Sequence, residues 1–337
     1  LYGAQAHFAL AMAYYCKEQP ERAFEVLRQA FRLVPDLDQH VLVVMSRAAG
    51  DLLDAAQSDP ELRYRAAHLQ KKVRHFERTL PGMRRFLRQH SLPSITFGPP
   101  ELVVRALGGE EVRLDGKLIT IGDWQTRTAR DLFFLLLARS EGLTKEGIGL
   151  EIWPDAGPSQ LKTRFKNAIY RVRRALGQEV IQFGDDHLYS FNWAMDYRYD
   201  VQAFETTLDQ AAAETRPEKR LALYQSAISL YGGDYLPDVD QEWVAPIREH
   251  LRQRNVNAIL SLAQQHLELN EFRNALHWVQ QLVEQDPCHE EAHRVAMRAY
   301  AGLGNRSGVA RQFQICRDAL WEQIQVPPSP QTLSLYQ

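Results

Sequence analysis

The chain has 337 residues, 45% of them hydrophobic, enough to bury the cores of two or three domains. A net charge of -2 excludes a uniformly basic nucleic-acid-binding protein, so any such role has to come from a local patch. Cys16, Cys288 and Cys316 are too scattered for a zinc cluster and fit a reducing compartment; no apolar run reaches the roughly eighteen residues of a membrane span, so the chain reads as cytoplasmic with no membrane partner.

The sequence opens inside a helical pattern and without a methionine, which reads as a fragment of a longer protein. Leu10, Ala11, Tyr14, Ala23, Leu27, Ala30 and Pro35 fall at the spacings of a tetratricopeptide helix pair, in which small residues let two antiparallel helices approach closely. Residues 60–90 continue as a helical pattern, with Leu62, Ala66, Leu69, Val73, Phe76 and Leu80 spaced by threes and fours and a break expected at Pro81-Gly82. This stretch holds nine Lys or Arg against Glu61 and Glu77, a local charge of +7 that suits a solvated face or a partner surface and also admits DNA contact. The helical segment 1–90 is followed by a linker, 91–100, of sequence SLPSITFGPP.

From residue 101 the period changes. LVVRAL, EVRLDG and KLITI are short β-prone runs separated by Gly-Gly and Asp-Gly, the pattern of a small antiparallel sheet. Ala129, Leu132, Phe133, Leu136 and Leu137 then share one helical face, and Thr144 can cap a second short helix that Pro154 ends. Asp155, Ala156, Gly157 and Pro158 form a loop into SQLKTRFKNAIYRVRRALG, where six of nineteen residues are Lys or Arg and none is acidic. At about 100° per residue, Leu161, Phe165, Ala168, Ile169, Val172 and Leu176 gather on one side of this third helix. Thr163, Asn167, Tyr170 and Arg174 occupy the other, flanked by Lys166, Arg171 and Arg173. Hydrogen-bonding groups in the middle and cations at the edges suit a helix in a major groove; a solvated face ordinarily mixes signs. VIQF, GDDH and LYSF complete a β-hairpin, and from Asp200 the pattern is helical. Near the end Leu262, Ala263, Ala275 and Pro287 repeat the tetratricopeptide frame, with Met297, Tyr300 and Phe313 one period of about 34 residues further on.

Strands, three helices and a hairpin in this order, with RTARDLFFLLLARSEGLTKEGIGLEIWPD and the basic helix, resemble the OmpR-type winged helix. DVQAFETTL, ALYQSAISLYGGDYLPD, Trp243, DPCHE, MRAYAGLGN and VPPSPQTLSLY resemble the bacterial transcriptional activation domain of the SARP family of regulators. The fold class that follows is mainly α with a small α+β domain: a winged helix at 101–195 and tetratricopeptide-like activation repeats at 196–337.

The resemblance implies a transcription activator that binds promoter DNA, as tandem copies or a homodimer on direct repeats, and recruits RNA polymerase. It carries DNA contact onto Thr163, Lys166, Asn167, Tyr170, Arg171, Arg173 and Arg174, and polymerase contact onto Asp155, Ala156, Gly157 and Pro158. Thr144 and Lys145 would meet backbone phosphate at a helix N-terminus. The hairpin departs from the family: Asp185 and Asp186 would be repelled by phosphates, so the wing either sits clear of the duplex or uses His187 alone. The amino-terminal repeat is a second departure; larger regulators of this kind carry an upstream sensor or nucleotide-hydrolysing switch domain in the same protein. The competing reading is an interaction scaffold whose winged helix binds protein.

No GxxxxGK[ST], HExxH, Ser/His/Asp or paired-carboxylate arrangement occurs, so no enzyme activity, cofactor or metal is expected; His289 and His293, four apart, read as helical-repeat surface.

Overall fold

A computed structural model describes residues 2–33, 43, 44, 46–90 and 101–336. The chain divides into two compact units, Leu1–Gly98 with Trp193–Asp196, and Pro99–Asn192 with Tyr197–Gln337.

The first unit begins with a helix pair, α1 (Tyr2–Cys16) and α2 (Pro20–Leu33), packed on each other, and continues through α3 (Gly50–Ala56) to the long α4 (Arg63–His90). Ala11, Ala23, Leu27 and Ala30 are buried at the helix seam, as the repeat frame requires, whereas Leu10 is 45% exposed. Phe8, Leu53, Leu62 and Leu69 complete this core. Helix α4 does not break at Pro81-Gly82. Proline removes one amide donor, and the strong helix formers Met83, Arg84, Arg85 and Leu87 carry the coil past it. Pro35 of the repeat frame and the whole 91–100 linker lie outside the described residues.

The second unit opens with β1 (Leu102–Arg105), β2 (Glu111–Leu114) and β3 (Lys117–Leu118). Strand β3 is shorter than KLITI because Thr120 starts a helical turn, α5 (Ile121–Trp124): the Asp123 carboxylate accepts from the Thr120 amide at 2.8 Å and hydroxyl at 2.7 Å. Three helices follow, α6 (Arg127–Ala138), α7 (Lys145–Ile152) and α8 (Pro158–Leu176), then the hairpin β4 (Ile181–Phe183) and β5 (Tyr189–Phe191). A last strand, β6 (Tyr197–Tyr199), lies in the stretch the sequence pattern assigned to the repeats, yet pairs parallel with β1. The sheet order is β3-β2-β1-β6, antiparallel except at that edge.

Helices α9 (Asp200–Ala213), α10 (Pro217–Leu230), α11 (Val244–Glu268), α12 (Phe272–Gln285), α13 (Glu290–Gly302), α14 (Arg306–Ile324) and α15 (Pro330–Tyr336) complete the unit, each packed on its neighbour in sequence. Ala263, Ala275, Val279, Val295 and Ala299 form the close-packed centre of these repeats.

The winged helix is stitched to the repeats by main chain. Gly108 donates to the Asp234 carbonyl at 2.9 Å and Leu236 to Ala106 at 2.8 Å, while the Asp200 carboxylate accepts from the amides of Ala106 and Leu107 at 2.9 Å. On the far side Arg248 donates to the carbonyls of Tyr235 at 2.9 Å and Leu236 at 2.7 Å. A side chain on Gly108, whose φ is +82°, would come within 2.5 Å of the Gly232 carbonyl oxygen, so the approach needs glycine.

Candidate nucleic-acid interface

Helix α8 is built by its two faces. Phe165, Ala168, Ile169, Val172 and Leu176 are buried, packing α8 on α6 and toward the hairpin, with Phe165 against Tyr189 at a centroid distance of 4.7 Å. A second aromatic series, Trp124, Phe133, Phe191 and Tyr197, joins α5, α6, β5 and β6 in one core with centroid spacings of 5.2–6.1 Å. Helix α7 crosses closely because Gly149 has no side chain: a Cβ there would lie 2.7 Å from the Leu161 methyl. Arg139 and Glu151, 3.0 Å apart, brace the end of α6 against α7.

Thr163, Lys166, Asn167, Tyr170 and Arg174 are all exposed, Tyr170 by 59%. They form one continuous face free of carboxylates, as the helical wheel requires. Arg171 is half-buried and donates to Gln125 at 3.3 Å. Arg173 leaves this face: its Nη2 donates to the Ile181 carbonyl at 3.0 Å, tying α8 to the first hairpin strand. Two cations absent from the predicted set, Lys162 and Arg164, are exposed in the first turns. They border the apolar arc on the wheel and reach solvent.

Pro158 is the first residue of α8, with Gly157 as cap, which shortens the loop to Asp155, Ala156 and Gly157; the fixed φ of proline suits the first helical position. Asp155 and Gly157 are exposed and Ala156 half-buried. At the start of α7 the Thr144 hydroxyl accepts from the Gly147 amide at 3.0 Å, and Lys145 pairs with Glu146 at 3.0 Å, whose carboxyl this contact holds below its ordinary range. In the hairpin turn Asp186 accepts from the Leu188 amide at 3.1 Å, while Asp185 is exposed. His187 is exposed at a φ of 62°, its ring 6.0 Å from that of Phe183.

His289 and His293 do not share a site. The His289 ring caps α13 by accepting from the Ala292 amide, and His293 is fully buried, correcting the expectation that both lie on the surface. Among the described residues no group of three or more His, Cys, Asp or Glu could hold a metal ion, and no helix is long and apolar enough to cross a membrane.

Residues 199–337 match the protein-family model of the bacterial transcriptional activator domain. With a winged helix ahead of it, the chain has the domain order of the SARP-family regulators that its motifs resemble. In fold the chain is similar to Mycobacterium tuberculosis EmbR, solved in complex with a low-affinity phosphopeptide: TM-score 0.61, 18% identity, 70% of this chain and 64% of that one covered. It thus spans somewhat under two thirds of the EmbR chain. The TPR2AB domain of yeast Sti1, in complex with a pHSP90, aligns over 99% of this chain and 96% of that chain at 11% identity and a TM-score of only 0.29. No curated protein sequence matches. The matched segment begins at Tyr199, the last residue of β6, so the strand that closes the winged-helix sheet runs directly into its first helix.

Proposed function

We propose that the chain is a sequence-specific DNA-binding transcription activator that inserts α8 into the major groove of promoter DNA. The observation that carries the reading is the division of α8 into a fully packed face and an exposed, carboxylate-free face presenting Thr163, Lys166, Asn167, Tyr170 and Arg174. Arg is suited to guanine and Asn to adenine, while Lys166, Lys162 and Arg164 suit the flanking phosphates. Thr144 and Lys145 at the start of α7 add a phosphate contact through amides and charge. His187 is the wing group that reaches DNA, the carboxylate of Asp186 being turned back to its own loop.

The activator domain, joined to the winged helix through Ala106, Gly108 and Asp200, sets the orientation in which the loop of Asp155, Ala156, Gly157 and Pro158 meets RNA polymerase. Direct repeats would be occupied by tandem copies or a dimer. Selection of bound duplexes from random DNA tests the reading and reports the repeat spacing. Enrichment of one motif is expected; recovery of unenriched sequence would overturn it.

A further inference from the structure

A second helix of this chain repeats the design of α8. Leu62, Ala66, Leu69 and Val73 of the Pro60–His90 stretch are buried in the core of the first unit. Turned about half a circumference away, Tyr64, His68, Lys71, Arg74, His75 and Arg78 form a single stripe. Tyr64 is 80% exposed with its ring stacked on His68 at 6.3 Å, and Lys71, Arg74, His75 and Arg78 are exposed. No carboxylate falls on this stripe. Glu77, the one acidic residue of α4, lies to the side and is engaged by Arg47 at 3.3 Å. Arg74 reaches the Gln70 amide oxygen at 2.6 Å, a neutral partner that leaves its charge uncompensated.

We infer that this stripe is a second DNA-binding surface, which holds the phosphate backbone of duplex outside the site read by α8. It rests on the DNA-binding reading of the winged helix and adds a different element to it. The occupant follows from the chemistry of the face. A protein-docking face has an apolar centre and a polar rim, whereas the centre here is cationic and its single large ring is already stacked within the stripe. The fourteen-residue step from Tyr64 to Arg78 spans about 21 Å at about 1.5 Å per residue, the axial length of about six phosphates on one strand. Contacts of this kind carry no base preference and lower the affinity of every sequence alike when removed.

The test uses the full chain and a fluorescently labelled random-sequence duplex several helical turns long, with affinity measured across a salt series. The variant Lys71→Gln/Arg74→Gln/Arg78→Gln is compared with the charge-conserving Lys71→Arg/Arg74→Lys/Arg78→Lys and with Asn167→Ala/Arg174→Ala in α8. Thermal melting confirms that each variant is folded. The neutralised variant is expected to show a slope of log affinity against log salt shallower by about 2–3, at about 0.9 per phosphate contact; the charge-conserving variant should keep the wild-type slope. The α8 variant should lose motif preference while retaining the contribution of the stripe. A neutralised variant with the wild-type slope overturns this inference alone, as does one that keeps its slope but loses co-sedimentation with RNA polymerase. A wild-type chain that binds no duplex overturns both this inference and the reading of α8.

Discussion

Phe165 on the buried side of α8 meets Tyr189 of the hairpin edge to face, with centroids 4.7 Å apart and planes at 71°. The contact makes the proposed recognition helix and the wing one packed body, so that the exposed face of α8 has a fixed orientation. Phe165→Ala should destabilise the second unit by about 3–5 kcal/mol through a cavity that the surrounding helices cannot fill. Chemical denaturation of the purified variant measures the loss; unaltered stability would show that the ring does not anchor the helix.

The exposed face makes separable predictions about affinity and selectivity. Arg174→Ala should cost about 1–3 kcal/mol on the selected duplex and relax base choice at one position, as expected for a bidentate base contact. Lys166→Ala should weaken selected and random duplexes alike. Competition binding distinguishes them, and equal losses on both duplexes for both variants would refute this division of roles.

A buried charge cluster lies where the β1–β2 connection meets α6. Arg130 pairs with Glu110 and, at 3.0 Å, with Asp131, and burial pushes both carboxyls above their ordinary values of 4.5 and 3.8 while the guanidinium pulls them back. Because these folded-state values are raised, the native state binds protons more readily than the unfolded chain, and stability falls as pH rises through the interval between the two. Arg130→Met, which leaves two buried carboxylates uncompensated, should cost about 3–5 kcal/mol near neutral pH. The deficit should shrink on acidification toward the carboxyl range. Urea denaturation over a pH series checks this; a pH-independent deficit would mean that the arginine acts by packing alone.

His293 gives the opposite sign. Its Nε2 donates to the Pro287 carbonyl at 2.9 Å and its Nδ1 accepts from the Gln312 amide at 2.7 Å, an arrangement that uses the neutral ring. Burial lowers its pKa from the ordinary 6.5, so the unfolded chain takes up the proton first. The stability it contributes is complete above about 6.5 and declines as pH falls below that value. His293→Phe should be less stable at neutral pH, since Pro287 and Gln312 lose their partner, and should melt with less dependence on acidic pH. A variant with the wild-type pH slope would contradict the assignment.

Both amphipathic helices, α4 and α8, are readable from spacing alone, because their apolar and basic positions repeat at the helical period over many turns. The cap at Thr144 is equally local, and its hydroxyl accepts from Gly147 as expected; Thr126 caps α6 in the same way through Ala129, a signal the sequence also carried. Helix α5 was equally encoded, by Thr120 and Asp123, but a strand pattern overlapped it. What spacing does not contain is the neighbour. Arg173 sits at the flank of the wheel, and only the path of β4 decides that it bonds to Ile181 rather than facing outward. Strand β6 is three residues long and acquires its pairing from β1, far away in the chain. The Gly108 joint depends on a main chain contributed by Gly232 and Gly233, which no local pattern links to it.

Helix α8 is proposed to carry its cations to a phosphate backbone, and the salt dependence of binding to a selected duplex tests that most directly. At roughly −0.9 per phosphate contact, a plot of log affinity against log salt should fall with a slope of about −3 or steeper, and Lys166→Ala should make it shallower by about one. A slope near zero, unchanged by Lys166→Ala, would contradict the account.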